Sequence, residues 1–204
     1  TDAALARDDI VGAVITHGTD TMAEGAYFLD VTLQSDKPVV FTGAMHNAAA
    51  INPDGPANIV DAVTQVLSGN ARDWGVTVTL NGCINAARHV RKTHTTNRQT
   101  FMSGEYGYLG VIAGGAVTRF NDRRDRIRIP LPAELPETFP DVPLLAVYAG
   151  SDGRFIRHAV DSGANGLVIA GSGAGNINAA SFDAVQYALT KGLPVVITSH
   201  VPNG

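Results

Sequence analysis

The sequence contains a single cysteine, Cys83, among its 204 residues. No disulfide bond can therefore form within it, and a cysteine-rich metal site is excluded. Long apolar runs are also lacking, because the strongest, residues 11–15 and 144–147, are much shorter than the roughly 18 residues that a membrane-spanning helix needs. Lysine is scarce as well, since only three of the 15 basic residues are lysines.

The composition predicts a compact folded chain of one or two domains. Apolar residues make up 45% and charged residues 17%, a balance that excludes a disordered chain. The net charge of −4 at pH 7 argues against a general nucleic-acid binder. The one concentration of basic residues, at 119–128, is interrupted by Asp122 and Asp125, and it predicts a solvated face.

Both ends of the sequence predict a portion of a longer protein. It has no initiator methionine, residues 1–5 are typical of the end of a helix, and residues 202–204 directly follow a predicted strand. The lack of a targeting segment therefore does not decide the compartment, although a cytoplasmic location is preferred over a periplasmic one.

Two stretches of the chain predict βαβ units. Each combines, in order, a short β-branched strand, a turn of small residues, a helix and a second strand that follows a proline. In the first unit these four parts lie at 11–16, 17–21, 23–33 and 39–42. In the second they lie at 166–170, 171–176, 179–189 and 195–198. The first half also predicts a helix at 59–67 and strands at 75–80 and 109–113.

A proline-rich segment separates the two halves. Residues 129–143 hold five prolines, which can neither continue a helix nor lie centrally in a sheet. The predicted fold class is therefore α/β, with two parallel-sheet domains, a larger one at 1–128 and a smaller one at 144–204, joined by the extended linker 129–143. Parallel sheets bind ligands outside the carboxyl ends of their strands, where both small-residue turns are predicted.

The first of these turns is His-Gly-Thr-Asp-Thr at 17–21. Free N–H groups and the helix dipole at a helix start favour an anion such as a carboxylate. The alternative is an ordinary helix cap, with Asp20 or Thr21 as the capping residue and Glu24 in the first turn.

The second turn is Gly171-x-Gly173-x-Gly175-Asn176. A dinucleotide-binding fingerprint needs a glycine where Asn176 stands and an acidic residue about 20 positions later, so a nicotinamide or flavin site is disfavoured. Two interpretations remain: the glycines simply form the turn, or Asn176 offers its amide to a small polar ligand.

Lys92 lies among histidines and hydroxyl residues, after a stretch of small polar residues at 82–87. It is either a solvated charge or a base, since a desolvated lysine can take a proton from a hydroxyl group and a nearby carboxylate can fix its geometry. The six histidines show no metal spacing, with His89 and His94 five positions apart. Neither a metal nor an organic cofactor is expected.

Together these motifs resemble the bacterial-type L-asparaginases, a family of amidohydrolases. The resemblance covers essentially the whole chain, in order, and the block at 17–21 is its most specific part. It runs through ITHGTDTM at 15–22, AYFL at 26–29, DKPVV at 36–40, GAM at 43–45, DGPAN at 54–58, AR at 87–88, KT at 92–93, YLG at 108–110, GxGxGN at 171–176 and SxVPNG at 199–204.

The resemblance implies two α/β domains joined by an extended linker in a homo-oligomer, commonly a tetramer, with active sites shared between subunits. It implies hydrolysis of L-asparagine to L-aspartate and ammonia, with secondary activity on L-glutamine, and neither a nucleic-acid nor a membrane partner. Thr19, Asp20 and Lys92 would form a triad in which Lys92 activates the Thr19 hydroxyl or a water held by it. Asp20 would hold Lys92 and meet the substrate ammonium.

The remaining implied site residues bind through other groups. Gly18 and Ala44 would line the pocket through their backbones, and Asn176 would enter from the neighbouring subunit. An amino-acid amide needs a cradle for its carboxylate, a counter-charge for its ammonium and an activated hydroxyl for its carboxamide, which the triad and the helix start would supply.

The sequence also departs from the family pattern. It lacks the opening strand with its Thr-Gly-Gly-Thr-Ile-like turn, which carries the threonine generally taken as the first nucleophile, as well as the lid tyrosine, a pocket serine and a C-terminal acidic residue. His46 and His200 stand where arginine is common, and Ala174 where some members have asparagine. The open alternatives are a related amidohydrolase acting on an aminoacyl-tRNA amide and a non-catalytic amino-acid-binding homologue.

Overall fold

A computed structural model describes residues 1–123, 125–132 and 134–203 of the chain. Arg124 of the basic segment, Ala133 of the proline-rich segment and Gly204 lie outside the described residues. The chain divides into two compact units, Thr1–Pro132 and Ala133–Gly204. Both combine helices with a sheet that contains parallel strands, so the predicted α/β fold class is confirmed.

Over its described residues, the first unit contains a six-stranded sheet, a two-stranded hairpin, three α-helices and two short 3-10 helices at Gly69–Ala71 and Gly104–Tyr106. Its strands are β1 (Ala13–Thr16), β2 (Val39–Thr42), β3 (Val76–Leu80), β4 (Cys83–Ala86), β5 (Arg91–Lys92), β6 (Phe101–Met102), β7 (Gly110–Ala113) and β8 (Ala116–Arg119), and its helices are α1 (Asp2–Leu5), α2 (Met22–Thr32) and α3 (Gly55–Leu67). The large sheet has the order β1-β2-β3-β4-β7-β8. Strands β1 to β3 are parallel, whereas β3, β4, β7 and β8 are antiparallel.

The antiparallel half was not expected from the sequence, although its turn signals are present. Asn81 and Gly82 connect β3 to β4 with positive φ angles of 52° and 71°. Gly114 and Gly115 do the same between β7 and β8, with φ angles of 59° and 75°. Asn-Gly and Gly-Gly pairs with two positive φ angles match the twist of a hairpin, so the sheet turns back on itself at both places.

The second unit is built on a three-stranded parallel sheet of order β11-β10-β9. Its elements are β9 (Leu144–Ala146), α4 (Arg154–Asp161), β10 (Leu167–Gly171), α5 (Ala179–Thr190) and β11 (Val195–Ser199). The helices α4 and α5 bury Ile156, Val160 and Ala184 against Leu167 and Ile169 of the central strand. No helix or strand covers the described residues between 129 and 143.

The prediction that the basic segment forms a solvated face is wrong at Arg126. Its side chain is only 3% exposed and its Nε lies 3.2 Å from the carboxylate of Asp30 on α2. The guanidinium also donates to the backbone oxygens of Asp30 and Ser35. Burial raises the pKa of Asp30, and the positive charges of Arg123 and Arg126 oppose that rise.

Helix α3 packs on strands β1, β2 and β3 and begins four residues before its predicted start, at Gly55 rather than Ile59. Pro56 fits the first turn of a helix, where its missing N–H group is not needed. Asp54 immediately precedes the helix and accepts hydrogen bonds from the backbone N–H groups of Met45 and His46 at 3.1 and 2.8 Å. Burial alone would raise the pKa of Asp54, but these hydrogen bonds outweigh it and lower that pKa.

We predict that Asp54→Asn lowers the free energy of unfolding by about 1–3 kcal/mol at pH 7, because a buried charged acceptor is lost. The pKa of Asp54 is lower in the folded than in the unfolded protein. Its stabilisation is therefore complete above the unfolded value of about 3.9 and disappears as the pH falls through the folded value. The difference between variant and wild type should thus shrink in acid, as measured by urea unfolding at a series of pH values.

Asp61→Asn, on the same helix, is the matched control for this experiment. Burial raises the pKa of Asp61, so its ionised form is disfavoured by folding and its substitution should not destabilise the protein at pH 7. A loss of stability for Asp54→Asn that stayed constant from pH 7 to pH 3 would contradict the assigned role of its carboxylate.

Candidate active site

The loops that follow β1 and β2 meet at one edge of the large sheet. The two strands are parallel, and the N–H group of His17 donates to the carbonyl of Thr42 at 2.9 Å. The loop after β2 opens with Gly43, where a Cβ atom would lie 2.4 Å from the carbonyl oxygen of His17 and 2.8 Å from Cε of Met22. This close approach requires glycine at position 43.

The loop after β1 leads into helix α2 without a side-chain cap. Thr21 occupies the N-cap position and makes no side-chain capping hydrogen bond. The carboxylate of Asp20 instead accepts a hydrogen bond from Lys92. In the structure, therefore, neither Asp20 nor Thr21 is an ordinary side-chain cap of helix α2.

Lys92 reaches this loop from strand β5. Its Nζ atom lies 3.0 Å from Oγ1 of Thr19 and 2.7 Å from Oδ1 of Asp20. The side chain of Lys92 is 21% exposed, whereas that of Asp20 is 93% exposed. The hydrogen bond and the positive charge of Lys92 hold the pKa of Asp20 below its usual range. Lys92 therefore has a mostly buried stem and two specific partners, unlike a freely solvated charge.

The hairpin of β5 and β6 fixes the position of Lys92. Lys92 is the register partner of Phe101, which is buried in the core of the first unit. Beyond it, Thr93 donates from both its N–H and its hydroxyl to the carbonyl of Thr100, at 2.7 and 2.9 Å. The Thr100 hydroxyl in turn donates to the carbonyl of His94 at 2.5 Å. A flexible lysine is thus carried by a short segment that is anchored on both sides.

A cavity of about 340 Å³ opens beside this cluster. It is lined by Asp20, Lys92, Thr93, His94 and Thr95. The three residues after Lys92 were not singled out from the sequence as lining a pocket. Their position at the tip of the hairpin that carries Lys92 is the only signal that could have identified them.

The remaining residues expected at the site are exposed and lie in loops. Gly18 belongs to the same loop as Thr19, and its carbonyl lies 2.7 Å from Nδ1 of His17. Ala44 follows Gly43 in the loop after β2. The structure thus joins Thr19, Asp20 and Lys92 through hydrogen bonds, with Gly18 and Ala44 in loops at the same sheet edge.

Asn176 belongs to the second unit. Its backbone pairs with Ser172 in the glycine-rich turn, and Gly173 and Gly175 adopt positive φ angles of 53° and 92° there. The glycines therefore do form the turn. Asn178, not Asn176, caps helix α5 through a hydrogen bond from the N–H group of Ser181. The exposed side-chain amide of Asn176 makes no hydrogen bond to any residue that the structure describes.

Within the described ranges, no group of three or more histidine, cysteine, aspartate or glutamate side chains could hold a metal ion. No helix in those same ranges is both long and apolar enough to cross a membrane.

The arrangement is suited to acid–base chemistry on a polar substrate. The amine of Lys92 lies within hydrogen-bond distance of the Thr19 hydroxyl and the Asp20 carboxylate, and Lys92 and Asp20 line the cavity. An amine that shares a hydrogen bond with a hydroxyl can remove its proton, and a carboxylate beside it stabilises the ammonium that results.

Comparison with known families assigns both parts of the chain. The model for the N-terminal domain of asparaginases matches residues 2–125. The model for the glutaminase/asparaginase C-terminal domain matches residues 141–204.

Individual relatives agree with these matches. L-asparaginase 2 of Bacillus subtilis (strain 168) is 40% identical over 205 residues, which cover 98% of this chain and 54% of the relative. L-asparaginase 2 of Escherichia coli (strain K12) is 39% identical over 199 residues, with coverages of 97% and 57%. The crystal structure of a probable cytoplasmic L-asparaginase from Campylobacter jejuni has a TM-score of 0.91 and 42% identity, and covers 98% of this chain and 64% of the other. The chain spans little more than half the length of the two curated relatives.

We predict that Gly43→Ala destabilises the protein by about 1–3 kcal/mol, because the added methyl group must displace the backbone of His17. Gly69→Ala is the matched control, since a Cβ atom at Gly69 meets no heavy atom within 4 Å. Urea unfolding of both variants tests this, and equal midpoints for Gly43→Ala and wild type would contradict the close contact of the two loops.

Proposed function

This chain belongs to the asparaginase family, and we propose that the protein hydrolyses L-asparagine to L-aspartate and ammonia. The observation that carries the proposal is the contact of Lys92 Nζ with both Thr19 Oγ1 and Asp20 Oδ1, at 3.0 and 2.7 Å. The relatives named above are L-asparaginases, which supports the same substrate for this chain.

In the proposed reaction, Lys92 acts as the base that takes a proton from the Thr19 hydroxyl or from a water molecule held by it. The deprotonated oxygen attacks the carboxamide carbon, and the ammonium group of Lys92 returns the proton to the nitrogen as the C–N bond breaks and ammonia leaves. When the Thr19 oxygen is the attacking atom, the resulting ester is hydrolysed by a water molecule, which supplies the oxygen of the new carboxylate and restores the Thr19 hydroxyl group. Asp20 stabilises the ammonium form of Lys92, since the two groups are already hydrogen-bonded.

Recognition of the substrate uses groups that are exposed at the same sheet edge. The carboxylate of Asp20 is almost fully exposed, so it can pair with the α-ammonium group of an amino acid. The start of helix α2 offers backbone N–H groups and a positive dipole end to the α-carboxylate. Gly18 and Ala44 line the pocket through their backbones. L-Glutamine, whose side-chain amide stands on a longer stem than that of L-asparagine, is the secondary substrate.

Asn176 is proposed to complete the site of a neighbouring subunit in a homotetramer. Its side-chain amide is exposed and makes no hydrogen bond to a described residue, as expected for a group that binds a ligand. A threonine nucleophile, a shared site and the absence of a cofactor requirement belong to the same proposal. The names of relatives include a probable periplasmic L-asparaginase of Haemophilus influenzae and the probable cytoplasmic one of Campylobacter jejuni, so the family does not fix the compartment.

The proposed domains are a larger one at 1–128, a linker at 129–143 and a smaller one at 144–204. Two observations support this division. The boundary between the compact units falls after Pro132, and the family models leave residues 126–140 unmatched.

We predict that Lys92→Met lowers kcat for L-asparagine by at least about 100-fold, since a general base contributes about that much or more. Thr19→Val should also lower mainly kcat, because it removes the hydroxyl group and retains the shape. Lys191→Met is the matched control, since Lys191 lies over the ring of Tyr187 in the second unit. Steady-state assays with L-asparagine and L-glutamine measure these effects.

Two results would contradict this assignment. Wild-type turnover in Lys92→Met would show that Lys92 is a solvated charge and not the base. A wild-type protein that binds L-aspartate and hydrolyses neither amide would be a non-catalytic amino-acid-binding homologue.

A separate prediction concerns the shared site. Asn176→Ala should raise KM about 5- to 100-fold, which corresponds to the roughly 1–3 kcal/mol cost of an unpaired polar group. Gly175→Val added to it should disable the turn, because Gly175 has a φ angle of 92° that a β-branched residue does not tolerate.

Mixing this double variant with Lys92→Met and reassembling the subunits distinguishes the two arrangements. If sites are shared, activity reappears in oligomers that pair an intact Lys92 with an intact Asn176 from another chain. If each chain builds its own site, no mixing ratio restores turnover.

A further inference from the structure

The loop after β2 is held from both sides by two side chains associated with helix α3. The carbonyl of Gly43 accepts a hydrogen bond from Nδ2 of Asn58 at 2.9 Å. The N–H groups of Met45 and His46 donate to the carboxylate of Asp54 at 3.1 and 2.8 Å. The backbone polar groups immediately before and after Ala44 are therefore fixed to one helix start.

Asn58 also connects this helix start to the end of β3. Its Nδ2 atom donates to Asp54 at 3.1 Å, and its Oδ1 atom accepts from the N–H group of Asn81 at 2.9 Å. Asn58 is 2% exposed and Asp54 is 7% exposed. A buried network whose members are satisfied is rigid, because breaking any one hydrogen bond leaves a polar group without water.

Ala44 itself differs from its neighbours. It is exposed, and neither its N–H nor its C=O group bonds to any residue that the structure describes. Gly55, the first residue of α3, lies beneath it, since a Cβ atom at Gly55 would be 3.4 Å from Cβ of Ala44. The loop therefore presents one free donor and one free acceptor on a backbone whose flanking groups are fixed.

We propose that Asp54 and Asn58 are positioning residues that hold the backbone of Ala44 in place to receive the substrate amide. This inference rests on the proposed function, which puts Ala44 in the pocket. Gly43 packs against His17, so any shift of the loop also displaces the block that contains Thr19 and Asp20. Groups that are held before the substrate arrives need no reorganisation during the reaction, and small misplacements of such groups are costly.

Gln65 provides the control for a purely structural role. It lies on the same helix as Asn58 and is 1% exposed. Its amide donates to the Thr77 hydroxyl at 2.8 Å and accepts from the Thr79 hydroxyl at 2.5 Å. These partners lie on β3, so Gln65 makes a similar buried contribution without touching the loop that contains Ala44.

The test compares Asn58→Ala with Gln65→Ala, assayed with L-asparagine at a temperature at which both are folded. Both variants should unfold at lower urea concentrations than wild type. Only Asn58→Ala should lower kcat, by at least about 10-fold, with Gln65→Ala within about 2-fold of wild type. Equal catalytic effects in the two variants, or unchanged kcat in Asn58→Ala, would overturn the proposal.

If Asn58→Ala does not fold, Asn58→Asp takes its place as the test variant. Its new carboxylate would face that of Asp54 across the 3.1 Å contact, and two carboxylates at that distance share a proton when one is available. The loss of kcat relative to wild type should therefore be smaller at pH 6 than at pH 9. A loss that did not depend on pH would contradict the proposal.

Hydrogen exchange separates failure of this inference from failure of the proposed function. The N–H groups of Met45 and His46 should exchange faster in Asn58→Asp than in wild type, whether or not the protein hydrolyses asparagine. Unchanged exchange would overturn the anchoring, whereas faster exchange in a protein without turnover would reject only the proposed function.

Discussion

The contact of Lys92 with Thr19 and Asp20 is the interaction that the rest of the first unit holds in position. An ion pair as exposed as the Lys92–Asp20 pair adds little to stability. The fold must therefore hold the pair in place, because the pair does not hold the fold together. Three elements do this. The parallel pairing of β1 with β2 places the loop of Thr19, Gly43 lets the two loops meet, and buried Phe101 anchors the hairpin that carries Lys92.

The two carboxylates Asp20 and Asp30 show how differently this unit uses ion pairs. Asp30 is buried beside Arg126, which also binds backbone oxygens of α2 and of the loop after it. That pair attaches the basic segment to the body of the unit, because a buried charge without its partner is costly. Asp20 keeps its carboxylate in solvent and binds Lys92 with one oxygen, which leaves it able to meet a charged ligand.

Local pattern and tertiary contact explain what the sequence could and could not predict. Most predicted strands and helices lie within two residues of the observed ones, because β-branched runs and helical spacing are local signals. The Asn81-Gly82 and Gly114-Gly115 pairs are equally local signals, and they account for the antiparallel half that the βαβ pattern does not predict. The burial of Arg126 could not be predicted, since it depends on Asp30, which is distant in sequence. Thr19, Asp20 and Lys92 were named through the family resemblance, and spacing alone left each of them with a structural alternative.

His46 shows why a departure from the family pattern need not change the chemistry. It stands where the resemblance predicts arginine, yet its backbone N–H group, not its side chain, binds Asp54. The side chain is used elsewhere, where Nε of Arg98 donates to its Nδ1 atom at 3.3 Å. Any residue except proline offers the same N–H group. The hydrogen bonds that hold Ala44 in place are therefore independent of the side chain at position 46.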